Sequence, residues 1–126
     1  MATVAIPKRR ILLIDDDARV REMLQELITG FGYDVDVAED GQAGLNKFKQ
    51  QPVDLVITDL MMPRVNGLQL AAELRVLHPS VPIILVTGFA TDAAAQEARR
   101  LGLRMVSKPV GATLLKAAIA AAIEAR

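Results

Sequence analysis

The sequence predicts an α/β domain built on a parallel sheet that is covered by helices on both faces. Short apolar runs recur along the chain, and a longer amphipathic stretch follows each of them. Strands that are apolar at nearly every position are typical of sheets buried on both faces. The length of 126 residues fits one such domain. We therefore expect a single domain over residues 1–126, in which residues 1–9 form a flexible flank.

Five segments have the composition of strands. Three are continuously apolar and are expected at the centre of the sheet: Ile11–Ile14, Leu55–Ile57 and Ile83–Val86. Val35–Ala38 is half polar, as is typical of a strand near a sheet edge. Met105-Val106 is the fifth strand, recognised mainly by its place in the alternation.

The segments that follow the strands have helical patterns. Their predicted positions are residues 18–31, from about 40 to before 52, from 66 onward, 91–101 and from 112 onward. Asp17 is the expected N-cap of the first helix because its carboxylate can accept from free backbone N–H groups. Gly44 is expected to weaken the second helix by up to about 1 kcal/mol.

Composition excludes several classes of protein. Fifteen basic and fifteen acidic residues cancel, and without a basic stripe we expect no nucleic-acid partner. Cysteine is absent, which excludes disulfides and thiolate metal sites and fits a reducing compartment. The apolar runs are far shorter than the roughly 20 residues of a membrane helix. We therefore expect no membrane partner and a cytoplasmic location.

Polar side chains follow four of the strands at the point where each strand ends. They occur as Asp15-Asp16, Thr58-Asp59, Thr87-Gly88 and Ser107-Lys108-Pro109. Ligands of open parallel sheets bind beyond the carboxyl ends of the strands. We therefore expect these residues to share one site.

Three of these side chains are carboxylates, on Asp15, Asp16 and Asp59. If the first and third strands are neighbours, their backbones lie about 4.8 Å apart, and like charges that close raise each other's pKa. A compensating cation is needed, and Mg²⁺ suits carboxylates, water and phosphate oxygens. Lys108 supplies a second positive charge.

Hydrogen-bond donors for a phosphoryl group are expected at the same edge. Thr87 offers a hydroxyl, and the backbone N–H groups of Leu60 and Gly88 are further candidates. Together with the carboxylates, these donors predict a site for phosphoryl transfer to an aspartate nucleophile.

The chain resembles the receiver domain of two-component response regulators across essentially its whole length. The segments that carry the resemblance are Ile11–Asp17, Asp54–Pro63, Asn66-Gly67, Val86–Gly88 and Ser107–Pro109. The resemblance implies a flavodoxin-like (βα)5 doubly wound sheet with strand order 2-1-3-4-5. It also implies a cis peptide bond between Lys108 and Pro109.

The same resemblance implies a role for each acidic residue. Asp59 matches the phosphoacceptor and is also expected to be a metal ligand. Asp15 and Asp16 match the acidic pair that holds Mg²⁺, and Asp16 is the one of the two that is expected to contact the ion directly. Met61 would contribute its backbone carbonyl to the metal.

The resemblance also implies how the domain signals. Thr87 matches the switch hydroxyl that moves toward the phosphoryl group, and Lys108 matches the lysine that contacts a phosphoryl oxygen. Met105 stands where relatives usually carry an aromatic ring, so we expect signalling through movement of residues 88–90. The phosphodonor would be a sensor histidine kinase or a phosphotransfer protein. The face formed by the fourth helix, fifth strand and fifth helix would pair with a second receiver or an output partner.

Two other functions stay open. Haloacid-dehalogenase-type phosphatases also use a strand-end aspartate with Mg²⁺, but they usually carry a second aspartate two residues later. Met61 occupies that position, so we expect a switch rather than a turnover enzyme. A degenerate receiver that only docks is the second alternative. The residues that argue against it are Asp15, Asp16, Asp59, Thr87 and Lys108.

The sequence also predicts the roles of individual residues near the site and the core. Met61 and Phe89 are apolar and flank the expected path of an attacking water, so we expect slow hydrolysis of phosphorylated Asp59. His78 is expected in a surface loop. The methionines expected to fill gaps in or near the core are Met23, Met61, Met62 and Met105.

Overall fold

A computed structural model describes residues 8–88 and 90–125, in which five strands alternate with five helices as predicted. The strands are β1 Arg10–Ile14, β2 Asp34–Ala38, β3 Leu55–Asp59, β4 Ile83–Thr87 and β5 Arg104–Ser107. The helices are α1 Ala18–Gly30, α2 Gly41–Gln50, α3 Gly67–Leu77, α4 Asp92–Arg100 and α5 Ala112–Glu124. Most of the predicted flank, residues 1–9, lies outside the described residues.

The sheet is parallel, and its strand order is β2-β1-β3-β4-β5, which confirms the flavodoxin-like prediction. β2 lies at one edge of the sheet, as its half-polar sequence predicts, and β5 lies at the other. No helix in the described ranges is long and apolar enough to cross a bilayer.

Side chains of the central strands alternate between the two faces of the sheet and form a hydrophobic core on each face. Leu12 and Ile14 of β1 belong to a core with side chains of α2, α3 and α4. Ile11 and Leu13 point to the opposite face and pack with side chains of α1 and α5. Because both faces are covered, β1 needs apolar residues at consecutive positions, and the same holds for β3 and β4.

Side-chain caps set the starts of four helices. Asp17 accepts from the backbone N–H groups of two residues in the first turn of α1, which confirms the predicted cap. Asp40 caps α2 and Thr91 caps α4 in the same way. Asn66 forms a reciprocal capping box with Gln69 at the start of α3.

Two glycines permit close approach of helices to strands. A Cβ atom on Gly44 would lie 2.4 Å from Cδ1 of Ile14, so the residue that weakens α2 also lets that helix pack on β1. A Cβ atom on Gly67 would lie 2.3 Å from the backbone carbonyl oxygen of Asp59. The start of α3 therefore lies directly against the strand that carries the predicted phosphoacceptor.

Two local expectations are wrong, and a third holds only in part. The side chain of Met23 is 49% exposed on α1, and that of Met61 is 61% exposed in the loop after β3, so neither fills the core; Met62 is buried as expected. His78 lies in the loop after α3 as expected, but it is half-buried because it caps that helix and packs edge-on against Phe48, with 6.4 Å between ring centroids.

Candidate functional site

The strand register brings the predicted acidic residues together. β1 pairs with β3 so that Ile14 lies beside Thr58, which makes Asp15 and Asp59 the next residues along neighbouring strands. Asp15, Asp16 and Asp59 each offer a carboxylate oxygen, and these three oxygens lie within 4.8 Å of one another. The predicted acidic cluster is therefore assembled at the carboxyl edge of the sheet.

Lys108 is the cation of this site. Its Nζ atom lies 3.0 Å from Oδ2 of Asp59 and 3.4 Å from Oδ2 of Asp15. The backbone N–H of Lys108 donates to the carbonyl of Thr87 at 2.9 Å, which holds the end of β5 against β4. The peptide bond between Lys108 and Pro109 is cis, as predicted.

Burial shapes the electrostatics of the cluster. Asp15 and Asp59 are buried, whereas Asp16 is exposed. The pKa of Asp15 is raised, mainly because burial removes water from its carboxylate. The hydrogen bond from the Asp17 backbone and the charge of Lys108 lower this pKa, but by less. For Lys108, burial lowers the pKa, but the hydrogen bond to Asp59 and the two carboxylate charges outweigh burial and raise it overall.

The donor set fits a hard divalent cation. Three carboxylates meet one ammonium group, and among the described residues only Lys108 places a cation within ion-pair distance of them. The cluster therefore retains an excess of negative charge. Its ligands are oxygens, and the exposed Asp16 leaves the site open to water, which Mg²⁺ keeps in its coordination shell. These residues could hold Mg²⁺.

The loop after β3 contacts the predicted phosphoacceptor, Asp59, through its backbone. The N–H of Met61 donates to Oδ1 of Asp59 at 3.3 Å. The expectation that the Leu60 N–H is available to a ligand is wrong, because that group donates to the Val86 carbonyl at 3.2 Å and extends the β3–β4 pairing. The carbonyl of Met61 as a metal ligand stays a prediction.

Thr87 is buried at the end of β4. Asp59 pairs with Val86, so Thr87 lies one position further toward the carboxyl edge. Met105 pairs with Leu85 and is half-buried against an apolar cluster, as expected for a residue near the core. Phe89 lies outside the described residues, so the expectations for residue 89 and for movement of residues 88–90 stay predictions.

The sequence prediction missed one residue of this region. The Nη1 atom of Arg21, on α1, donates to the backbone carbonyl of Asp15 at 2.7 Å. An arginine six positions along the chain gives no sequence signal for this contact. It arises because the first turn of α1 directs the side chain back over the loop that precedes the helix.

Comparison with known proteins identifies similar sequences and folds. The profile of the family described as "Response regulator receiver domain" matches residues 11–120. The transcriptional regulatory protein GlrR of Escherichia coli (strain K12) is 37% identical over 115 residues, which cover 90% of this chain and 26% of that protein. ZraR of the same strain, also a transcriptional regulatory protein, is 32% identical over 114 residues, with the same coverage. The chain thus spans about a quarter of the length of these relatives.

Solved structures of similar length superpose closely. A response regulator receiver domain protein from Clostridium thermocellum has a TM-score of 0.88 at 31% identity, covering 93% of this chain and 95% of that one. A CheY-like receiver domain protein from Methanospirillum hungatei JF-1 has a TM-score of 0.91 at 26% identity, covering 94% of this chain and 96% of that one.

Proposed function

The chain belongs to the response regulator receiver domains, and from this premise we propose that its Asp59 accepts a phosphoryl group in a Mg²⁺-dependent reaction. The observation that carries the proposal is the meeting of Asp15, Asp16 and Asp59, with carboxylate oxygens within 4.8 Å of one another, beside the ammonium group of Lys108. Such a cluster is costly without a ligand that adds positive charge.

In the proposed reaction, a carboxylate oxygen of Asp59 attacks the phosphorus of a phosphohistidine. A phosphorus–oxygen bond forms, and the phosphorus–nitrogen bond breaks. Its electron pair goes to the imidazole nitrogen, which takes a proton from solvent. The product is an acyl phosphate on Asp59. The changed charge and contacts around it would be the signal that the domain passes on.

The neighbouring side chains orient and stabilise the transferred group. The Nζ atom of Lys108 lies 3.0 Å from Oδ2 of Asp59 and would contact a phosphoryl oxygen once Asp59 is phosphorylated. Thr87 would donate its hydroxyl to another oxygen. Asp15, Asp16 and Asp59 would hold the metal, with the carbonyl of Met61. When bound, Mg²⁺ would neutralise charge on the phosphoryl oxygens.

The proposal includes partners and location. The phosphodonor is a sensor histidine kinase or phosphotransfer protein, and the face formed by α4, β5 and α5 contacts a second receiver or an output partner. Light scattering with and without beryllofluoride would test self-association. We also propose a cytoplasmic location, which the lack of cysteine supports.

A phosphatase-like enzyme and a degenerate docking domain are not favoured. A phosphatase would need an acid–base group two residues after Asp59, and Met61 at that position presents an exposed thioether side chain. We propose that the domain takes up about one phosphoryl group per chain and releases it slowly, because Met61 and Phe89 cannot orient a water. A Phe89→Glu substitution that leaves the hydrolysis rate unchanged would count against this account.

Incubation with acetyl phosphate and Mg²⁺, followed by intact-mass measurement, tests the central proposal. We expect the wild type to gain one phosphoryl group and the Asp59→Asn variant to gain none. Asp34→Asn is the matched control because Asp34 is exposed at the amino end of β2. Chelation with EDTA should prevent modification of the wild type. Equal modification of Asp59→Asn, or none of the wild type, would overturn the proposal.

A further inference from the structure

Arg21 lies at the loop that carries two of the three carboxylates, and nothing in the phosphotransfer scheme uses it. We propose that Arg21 is a positioning residue for the metal site, which holds the peptide between Asp15 and Asp16 so that the Asp16 carboxylate faces the cluster. This inference rests on the proposed Mg²⁺ site and adds the residue that orients one of its ligands.

The contacts of Arg21 tie the loop to the helix at two points. Its Nη1 atom donates to the Asp15 carbonyl at 2.7 Å, and its backbone N–H donates to the Asp17 carbonyl at 2.9 Å. The N–H of Asp17 in turn donates to Oδ1 of Asp15 at 2.9 Å. The three-residue connection between β1 and α1 is thus held on both sides of Asp16.

Asp16 depends on this backbone more than the other two acids do. The carboxylates of Asp15 and Asp59 are buried and hydrogen-bonded to Lys108 and to backbone N–H groups. The structure shows no hydrogen bond or ion pair from any described residue to the side chain of Asp16, which is exposed. Its direction therefore depends on the planar peptide that precedes it, and the oxygen of that peptide is the one that Arg21 binds.

Charge and positioning predict opposite effects of removing Arg21. A guanidinium group near a divalent cation repels it, so deletion of the charge alone should strengthen Mg²⁺ binding. Loss of the hydrogen bond to Asp15 should weaken binding, because groups that orient metal ligands typically contribute about 10- to 100-fold in affinity. The sign of the change thus separates the two roles.

Calorimetric titration with Mg²⁺ alone tests the inference on the full chain. We expect Arg21→Gln to weaken binding about tenfold relative to wild type. Arg19→Gln is the matched control, because Arg19 is an exposed arginine in the first turn of the same helix, and its guanidinium makes no hydrogen bond or ion pair with any described residue. This control should bind as tightly as wild type or slightly more tightly.

Two further measurements exclude a general loss of structure. Arg21→Lys keeps the charge, so a reduced affinity in this folded variant reports geometry, and we expect a value between wild type and Arg21→Gln. The Mg²⁺-induced NMR shift of the Asp16 backbone amide should be reduced in both Arg21 variants and retained in Arg19→Gln. If Arg21→Gln and Arg21→Lys both bind as tightly as Arg19→Gln, the inference is wrong. Failure of the wild type to bind Mg²⁺ would instead overturn the proposed function itself.

Discussion

The amino ends and the carboxyl ends of the strands form two opposite edges of the sheet, and these edges use charged side chains in opposite ways. At the amino edge, Arg75 of α3 donates to three backbone carbonyls: Nε to Leu101 at 2.8 Å, Nη2 to Gly102 at 3.3 Å and Nη1 to Val81. Burial lowers the pKa of this guanidinium, and the carbonyl oxygens offset the cost of desolvating it. Arg75 thereby joins α3 to the segments before β4 and after α4.

Asp54 shows the same use of charge at the amino edge. Its Oδ2 atom accepts from the backbone N–H of Arg10 at 2.8 Å, and its Oδ1 atom lies 3.5 Å from the guanidinium of Arg9. At the carboxyl edge, by contrast, three carboxylates lie together, and one ammonium group pairs with two of them, those of Asp15 and Asp59. The amino edge thus uses its charges to join segments, whereas the carboxyl edge concentrates unbalanced charge that a ligand can neutralise.

Among the substitutions that test this difference between the two edges, Gly67→Ala is expected to have the largest effect on stability. The new Cβ atom would meet the backbone carbonyl of Asp59, so we expect a loss of about 3 kcal/mol in unfolding free energy, together with impaired phosphorylation. Gly44→Ala is the comparison, because its Cβ atom meets the flexible end of the Ile14 side chain and should cost less. Urea denaturation measures both. Equal costs would show that the backbone contact at Asp59 is not a constraint.

Arg75→Met should separate stability from phosphorylation. We expect a loss of about 2 kcal/mol in unfolding free energy, because the carbonyls of Leu101 and Val81 lose the donor of partly buried hydrogen bonds. The final extent of modification by acetyl phosphate should stay unchanged, because Arg75 lies at the opposite edge from Asp59. As a control, Arg99→Met in the last turn of α4 should cost only about 0.5 kcal/mol. A phosphorylation defect in folded Arg75→Met would show that the two edges are coupled.

Mg²⁺ should stabilise the protein through the carboxyl edge alone. At a free concentration about tenfold above its dissociation constant, the increase in unfolding free energy should be about 1.4 kcal/mol. We expect the same increase in Arg75→Met, since effects at distant sites add. In Asp16→Asn, thermal or urea unfolding should show a smaller increase at the same Mg²⁺ concentration. An undiminished increase in that variant would place the stabilising ion elsewhere.

The architecture and the members of the acidic cluster could be predicted from the amino-acid pattern alone. Ile11–Ile14 and the other apolar runs must be buried on both faces, which requires a covered parallel sheet. Asp17 caps α1 through contacts within three residues, so local sequence sufficed to predict it. Asp15 and Asp59 could be placed at one edge because each lies where an apolar strand ends.

Contacts between segments that are distant in sequence could be identified only from the folded chain. From the sequence, Gly44 only weakens a helix, whereas in the structure it allows that helix to pack against Ile14 of β1. Arg75 donates to the carbonyl of Leu101, which lies 26 positions away. The Leu60 N–H was assigned wrongly because its partner, Val86, lies on another strand. Local patterns report burial and capping, since those depend on neighbouring residues. They do not report which backbone group of another segment reaches a given atom, because that depends on the register and packing of the whole sheet.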